Sequence, residues 1–363
     1  MSLLQTPCHS WHVAHGARMV DFAGWDMPVQ YNSIVAEHHA VRRVAGLFDI
    51  AHMGRLKFTG PDAPKFLDYL ITNDVFSLAV GQIKYALVTN ESGGILDDVL
   101  VYRQPDCHLL VVNASNRLKI LNWIEQHRSR FDAAVEDETS SHFMLALQGP
   151  QSQVLLQPLV GTDLAQLKYY FGTPDSVLGQ AGFVSRTGYT GEEGFEVIVP
   201  APQANALWET LIATGSPKGL LPAGLGCRDT LRLEAGMPLY GHELNDATDP
   251  FTAGLAFGVR LDAGEFIGRE ALVAAKANVN RQRRVGLELS GKRIAREGAV
   301  VFHGENQVGR VTSGTFSPTL EKSIAMAYVA AANAAVGSLL TVDIRGQREP
   351  AKVVKLPFYK RAV

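Results

Sequence analysis

Cysteine is scarce in this chain of 363 residues. Cys8, Cys107 and Cys227 stand far apart with no C-x-x-C among them. That excludes a disulfide scaffold and points to a reducing, cytoplasmic setting. Charge is sparse too, at 19% of residues, against about a quarter in soluble domains at large. The 34 basic and 36 acidic side chains leave a formal net charge of −2. Neither a polycation built for nucleic acid nor an acidic disordered chain fits that balance. No apolar run opens the sequence, where His9, Trp11, His12 and His15 break the pattern, so no secretory signal is read there. The one uncharged stretch that invites a membrane reading, 323–340, is Ala-rich and interrupted by Asn333, Gly337 and Ser338. A strand, a turn and a second strand are expected in place of a membrane span.

Several catalytic signatures are also missing. There is no G-x-S-x-G elbow for a nucleophilic serine and no H-E-x-x-H for zinc. His9, His12 and His15, with the adjacent pair His38 and His39, lack thiolate partners and read as surface or interface histidines. Segment 286–292, G-L-E-L-S-G-K, formally matches a phosphate loop. Its alternating Val285, Leu287 and Leu289 form a strand, however, and Arg293 stands where Ser or Thr would have to hold magnesium.

What the chain does have is glycine, 34 of them, and a 46% hydrophobic content able to fill more than one core. Apolar periodicity predicts a helix after Ser33 and another opened by Asp62-Ala63-Pro64. Further helices are expected at 115–127, 150–156, 203–214, 228–235 and 269–277. Strands are expected at 55–59, 85–89, 95–102, 108–112, 143–147, 183–186 and 195–199. They do not alternate singly with helices, so an α+β fold with antiparallel sheets is favoured over a doubly wound one. From Arg284 onward, short strands separated by Gly, Asn and Pro turns predict a β-barrel or sandwich. The expected division is 1–279, an α+β region, and 280–363, the β-rich domain.

Three segments carry chemistry. In G-G-I-L-D-D-V-L-V-Y, 93–102, two acids sit inside an apolar strand, where burial is costly without partners. Strict alternation places Asp97 with Ile95, Val99 and Val101, and Asp98 with Leu96, Leu100 and Tyr102. The acids then point apart, with Asp98 facing the better pocket wall; the plainer alternative is a pair of turn-capping acids. In S-R-T-G-Y-T-G-E-E-G-F-E, 185–196, Gly188, Gly191 and Gly194 suggest a mobile loop leading into a strand. Glu196, on the opposite face from Phe195, Val197 and Val199, could accept two parallel N–H bonds from a planar heterocycle or be a solvated edge carboxylate. In G-L-G-C-R-D-T-L-R, 224–232, a Gly-rich turn before a helix suggests an anion site with Arg228, or else a capped helix with ordinary surface arginines. Between Lys276 and Arg296 there are also seven basic residues and one acid, Glu288, a possible docking patch or a solvated face.

Together these segments resemble the aminomethyltransferase (T-protein) family of the glycine cleavage system. The matching stretches, in order, are 19–28 (M-V-D-F-A-G-W-D-M-P), 46–53 (G-L-F-D-I-A-H-M), 72–74 (T-N-D), 93–102, 185–195, 224–236, 290–296 (S-G-K-R-I-A-R), 312–319 (T-S-G-T-F-S-P-T) and 357–359 (P-F-Y). The resemblance implies three lobes around a central folate site. It also implies transfer of a methylene from an aminomethylated dihydrolipoyl H-protein to tetrahydrofolate, with release of ammonia and no metal. By position it makes Asp98 the key carboxylate. Met53, Tyr85, Leu100, Tyr102, Asn113, Tyr189, Glu196, Arg228 and, more loosely, Tyr359 match pocket positions. His242 stands where relatives commonly have Gln, and Glu321 where Gly is commoner. The Lys-Gly-Cys marker of the iron–sulfur maturation branch is absent from 233–240. A folate-dependent demethylase of the superfamily and a non-catalytic folate-binding protein are the alternatives.

Overall fold

A computed structural model describes residues 2–361. The first layer is a five-stranded antiparallel sheet in the order Ile83–Thr89, Ile95–Arg103, His108–Val112, Gly54–Thr59, Ala134–Asp137. Helices Ala63–Leu70 and Arg117–His127 cover one of its faces. Phe66, Leu67, Leu70, Ile120 and Ile124 pack there on Leu56, Val88, Val99 and Val101. Pro64 in the first turn of the earlier helix removes an N–H that would have no partner anyway.

The second sheet has six strands, in the order Gly172–Val177, Gln180–Ser185, Gly194–Pro200, His142–Gln148, Gly46–Asp49, Leu221–Pro222. Only the short last strand runs parallel to its neighbour. Phe195, Val197 and Val199 turn to one face and pack with Trp208 and Leu211 of helix Ala204–Gly215. The uncovered faces of the two sheets meet across a third core, where Tyr102, Leu109 and Val111 touch Phe48, Met144, Ala146 and Ile198. Helix Leu225–Glu234 seals it with Cys227 and Leu231. Residues at 100–102, 196 and 228 are thus brought to one seam.

The β-rich end closes into a six-stranded barrel, Arg283–Leu289, Lys322–Val329, Asn306–Ser317, Val300–His303, Leu339–Ile344, Gln347–Val354. Its interior is small and aliphatic, with Val285, Leu287, Ala325, Ala327, Val342 and Val353. Full closure leaves this sheet without an edge to pair with another chain. The stretch read as strand, turn and strand contains all but the first residue of barrel strand Lys322–Val329, a 3₁₀ turn at Ala331–Asn333 and the start of the next strand. No helix among the described residues is long and apolar enough to cross a membrane.

Some sequence expectations are corrected. The helix expected from 228 begins three residues earlier, at Leu225; glycine is required at 224 and 226, where a Cβ would collide with Val29 and Ile34. Its N-terminus is not an open anion site. The Glu37 carboxylate already sits at its N-cap, accepting from Gly224 N at 2.9 Å and Tyr31 N at 2.7 Å. The 185–196 loop is fixed, not mobile: Gln148 donates to Thr187 O at 3.0 Å and accepts from the Thr190 hydroxyl at 2.9 Å. His12 and His38 are buried, against the surface reading. His12 pairs with Asp49 at 2.9 Å and Tyr31 at 2.9 Å, and His38 lies between the hydroxyls of Thr230 and Thr319 at 2.8 Å each. The basic stretch is not one solvated face either. Arg284 turns inward, its Nε donating to Ala253 O at 2.7 Å and its Nη1 to Gly236 O at 2.8 Å, while Arg281 caps carbonyls of helix Arg269–Ala277.

Candidate active site

The acidic strand Ile95–Arg103 does not follow strict alternation. Val88 pairs with Asp97 but Thr89 pairs with Ile95, so Leu96 is an extra residue in a β-bulge. Leu96 therefore joins Val99 and Val101 in the core under the helices, while Ile95 packs with Leu87 on the other side. The expected company of the two acids at 95 and 96 is reversed. Beyond the bulge, Asp98 shares the seam-facing side with Leu100 and Tyr102.

Nor do the acids lead separate lives. The Asn113 side-chain amide, just after strand His108–Val112, donates to Asp97 Oδ1 and to Asp98 Oδ1, both at 2.8 Å. Asp97, fully buried, also accepts from Asn113 N at 3.0 Å and Asn116 Nδ2 at 2.6 Å. Asp98 accepts from the Tyr85 hydroxyl at 3.1 Å. Burial pushes both carboxyls well above the usual carboxylate range, and the Asp98 charge adds to the rise at Asp97. The hydrogen bonds from Tyr85 and Asn113, and the more distant Arg284 charge, hold Asp98 down against that rise. Carboxyls raised by burial and held by specific hydrogen bonds in a cleft mark a functional site. The exposed Phe257 leans on Tyr85 with ring centroids 5.4 Å apart, an aromatic wall absent from the sequence-level candidates.

Across the seam, Glu196 is buried and accepts from the Thr187 hydroxyl at 2.6 Å and the Tyr102 hydroxyl at 3.4 Å, both on Oε2. Oε1 makes no hydrogen bond to any described residue. Burial raises the Glu196 carboxyl, opposed by Thr187 and by the Arg228 charge. Met53 and Leu100 lie half-buried against this core. The Arg228 guanidinium sits over the Tyr189 ring at 4.8 Å, and its buried Nη1 has no partner. Its neighbour Arg232 is fully engaged, with Glu243 at 2.8 Å, Asp229 at 2.8 Å and Ser313 at 2.8 Å. Tyr189 is anchored by its hydroxyl to Pro238 O. Tyr359 does not touch the Asp98 group. It lies under Arg42 at 4.0 Å and beside Gly191, on the loop that also carries Tyr189.

The arrangement offers three complementary features: a carboxylate raised by burial, a free carboxylate oxygen beside hydroxyls, and an unpaired guanidinium nitrogen over an aromatic ring. No group of three or more His, Cys, Asp or Glu among the described residues is placed to hold a metal. Residues 8–263 match the family model for the GCVT N-terminal domain, and 282–360 match that for the glycine cleavage T-protein C-terminal barrel domain. The chain belongs to the glycine cleavage T-protein family of aminomethyltransferases. An aminomethyltransferase of Streptomyces avermitilis is 49% identical over 362 residues, covering 98% of this chain and 97% of the relative. One from Symbiobacterium thermophilum is 47% identical over 373 residues, covering 99% and 98%. The crystal structure of glycine cleavage system aminomethyltransferase T from Bartonella henselae superposes with a TM-score of 0.92 at 35% identity, covering 99% of both chains. In this T-protein-family chain, Thr187, Asn116, Phe257 and Arg284 went unnoticed as site residues. Thr187 lay inside a quoted motif, but nothing in a linear reading joins the other three to Asp98 or Glu196.

Proposed function

We propose that this aminomethyltransferase takes the methylene of an aminomethyl group carried on the dihydrolipoyl arm of an H-protein and passes it to tetrahydrofolate. Ammonia, 5,10-methylenetetrahydrofolate and the reduced lipoyl thiol are the products. The carbon–sulfur and carbon–nitrogen bonds of the aminomethyl group break, and the carbon bonds to two folate nitrogens. Those nitrogens give up two protons in all, one to the ammonia and one to the thiol, so the atoms balance.

The observation that carries this reading is Asp98, a carboxylate held by Tyr85 and Asn113 in a largely apolar seam. Cationic character develops on the transferred carbon and the departing amine. A pre-oriented carboxylate with little water around it stabilises that charge more than bulk solvent would. Glu196, with Oε1 free, suits the amino and ring N–H edge of a pterin. The unpaired Arg228 nitrogen suits a pterin oxygen or a glutamate carboxylate. Tyr85, Tyr102, Tyr189, Met53 and Leu100 supply flat and apolar surface, with Tyr359 at the outer side of the loop. In this reading 1–279 form the folate-binding region and 280–363 the barrel that closes it, and the enzyme works in the cytoplasm.

The test is ammonia release from aminomethylated H-protein with and without tetrahydrofolate. Folate should accelerate it strongly; no acceleration rejects the reading in favour of a demethylase or a binding protein. Asp98→Asn is expected to lower kcat by roughly two to three decades, the scale of a lost electrostatic or acid–base contribution of about 3–4 kcal/mol. An unaffected rate would remove Asp98 from the chemistry.

A further inference from the structure

Asp97 is the one fully buried carboxylate beside the reacting centre to which the proposed chemistry gives no task. A fully buried acid in an apolar strand is expensive, and hydrophobic replacement of such groups is often tolerated. Here it gathers three N–H bonds: Asn113 N at 3.0 Å, Asn113 Nδ2 at 2.8 Å and Asn116 Nδ2 at 2.6 Å. One of those donors is the same amide that holds Asp98 Oδ1 at 2.8 Å. Asn113 Nδ2 also reaches the Asp98 carbonyl at 3.1 Å. The amide plane of Asn113 is thus set by Asp97 from behind and hands its orientation on to Asp98 in front.

We propose that Asp97 is a positioning residue of the aminomethyl-transfer site: through the shared Asn113 amide it fixes the Asp98 carboxylate and makes the two acids titrate as one unit. Asn116, in the 3₁₀ turn that leads into helix Arg117–His127, is the outer anchor of the same chain. No cation among the described residues forms an ion pair with either acid. Arg284, from the first barrel strand, acts on Asp98 only at a distance. The other ionisable groups whose fields meet the pair are Tyr85 from its neighbouring strand, Tyr170, Tyr189 from the Gly-rich loop and Tyr240. All four are phenols raised by burial, so none supplies a charge near neutral pH. Two carboxylates joined by one donor in such a setting lose their protons in successive steps that belong to the pair.

This inference rests on the proposed function for its consequence but not for its geometry, so the experiment has two independent readouts. Carboxyl ¹³C NMR of the aspartates in the free enzyme reads the coupling without turnover. In the wild type, the Asp98 carbon should titrate in two steps between about pH 5 and 8, and in Asp97→Asn in one. Folate-dependent ammonia release should then show kcat about tenfold lower in Asp97→Asn, with KM for tetrahydrofolate within about twofold. Asn116→Ala keeps both charges and loses the anchor. It should retain the two-step titration with kcat reduced several-fold. A single-step Asp98 titration in the wild type overturns the proposal, even if Asp97→Asn fails to fold. So does an Asp97→Asn enzyme that has a lower thermal midpoint but an unchanged titration and kcat. If the wild type shows the two steps but no folate-dependent ammonia release, the coupling stands and the functional reading falls.

Discussion

Arg228 keeps a buried guanidinium nitrogen that no described residue accepts from. Its guanidinium is buried enough to be pulled below the usual arginine range, and Nη1 has no acceptor. An unpaired buried donor costs about 1–3 kcal/mol, and a charged one more. A ligand that supplies the acceptor recovers that cost on binding. Arg228→Met, which keeps length and apolar contact with Tyr189, should raise the thermal midpoint of the free enzyme. It should also weaken tetrahydrofolate binding by roughly ten- to hundredfold, one charge-assisted hydrogen bond. Calorimetric melting and titration calorimetry check both halves; unchanged folate affinity would place Arg228 outside the site. Asp98 and Glu196 were legible as candidates because an acid inside an apolar strand needs an explanation. The partners Asn113, Thr187 and Tyr102 that explain them lie on other strands or loops, so no linear reading could rank them by contact.

Elements differ in how openly they announce themselves. Helix Arg269–Ala277 and strand His108–Val112 coincide with their apolar patterns, since their neighbours only reinforce local preference. The bulge at Leu96 was invisible, because an extra residue is defined by the strand opposite and not by its own sequence. Helix Leu225–Glu234 began earlier than expected because Gly224 and Gly226, poor helix formers, are required there by the approach of Val29 and Ile34. In the turn joining strands Asn306–Ser317 and Lys322–Val329, Glu321 adopts φ +54°, a left-handed conformation that suits Gly. That is a physical reason for Gly at this place. Glu321→Gly should stabilise the protein by about 0.5–1 kcal/mol, read by urea melts, with turnover unaffected. A destabilised variant would show that the Glu321 side chain makes up for its backbone.

At the scale of the whole molecule, the buried carboxylate of Glu234 ties the lobes to the barrel, alongside the Arg232–Ser313 and Arg284–Gly236 hydrogen bonds. Glu234 accepts from Ser317 Oγ at 2.5 Å and Thr319 N at 3.1 Å in the barrel, and from Arg42 Nη2 at 2.7 Å. His38 Nε2 lies 3.2 Å away, and Tyr359 N donates to the Glu234 carbonyl at 2.9 Å. These partners outweigh burial and hold its carboxyl down to about 2. A carboxyl depressed on folding stabilises the native state fully above its unfolded value and loses that contribution as pH falls through the folded one. Glu234→Gln should therefore lie on the order of 3 kcal/mol below the wild type above about pH 5, the two converging towards about pH 2. Melting at several pH values measures the gap, and a gap independent of pH would mean that the charge of Glu234 is not what joins the lobes.

Composition alone determined that this is a near-neutral, glycine-rich, cysteine-poor chain with enough apolar content for several cores. Periodicity determined most helices and strands and the change of texture near residue 280, because those signals are local and repeat within a few residues. The order of matching motifs carried the family resemblance. Tertiary structure decided what no local signal encodes: the bulge that reverses residues 95 and 96, the amide that ties Asp97 to Asp98, and the Glu37 carboxylate at the N-cap of the helix expected to bind an anion. It also turned Arg284 from a member of a docking patch or solvated face into a half-buried residue bonded to the carbonyls of Ala253 and Gly236. Each depends on which distant backbone arrives opposite a given side chain, and that is settled only when the sheets pack against each other.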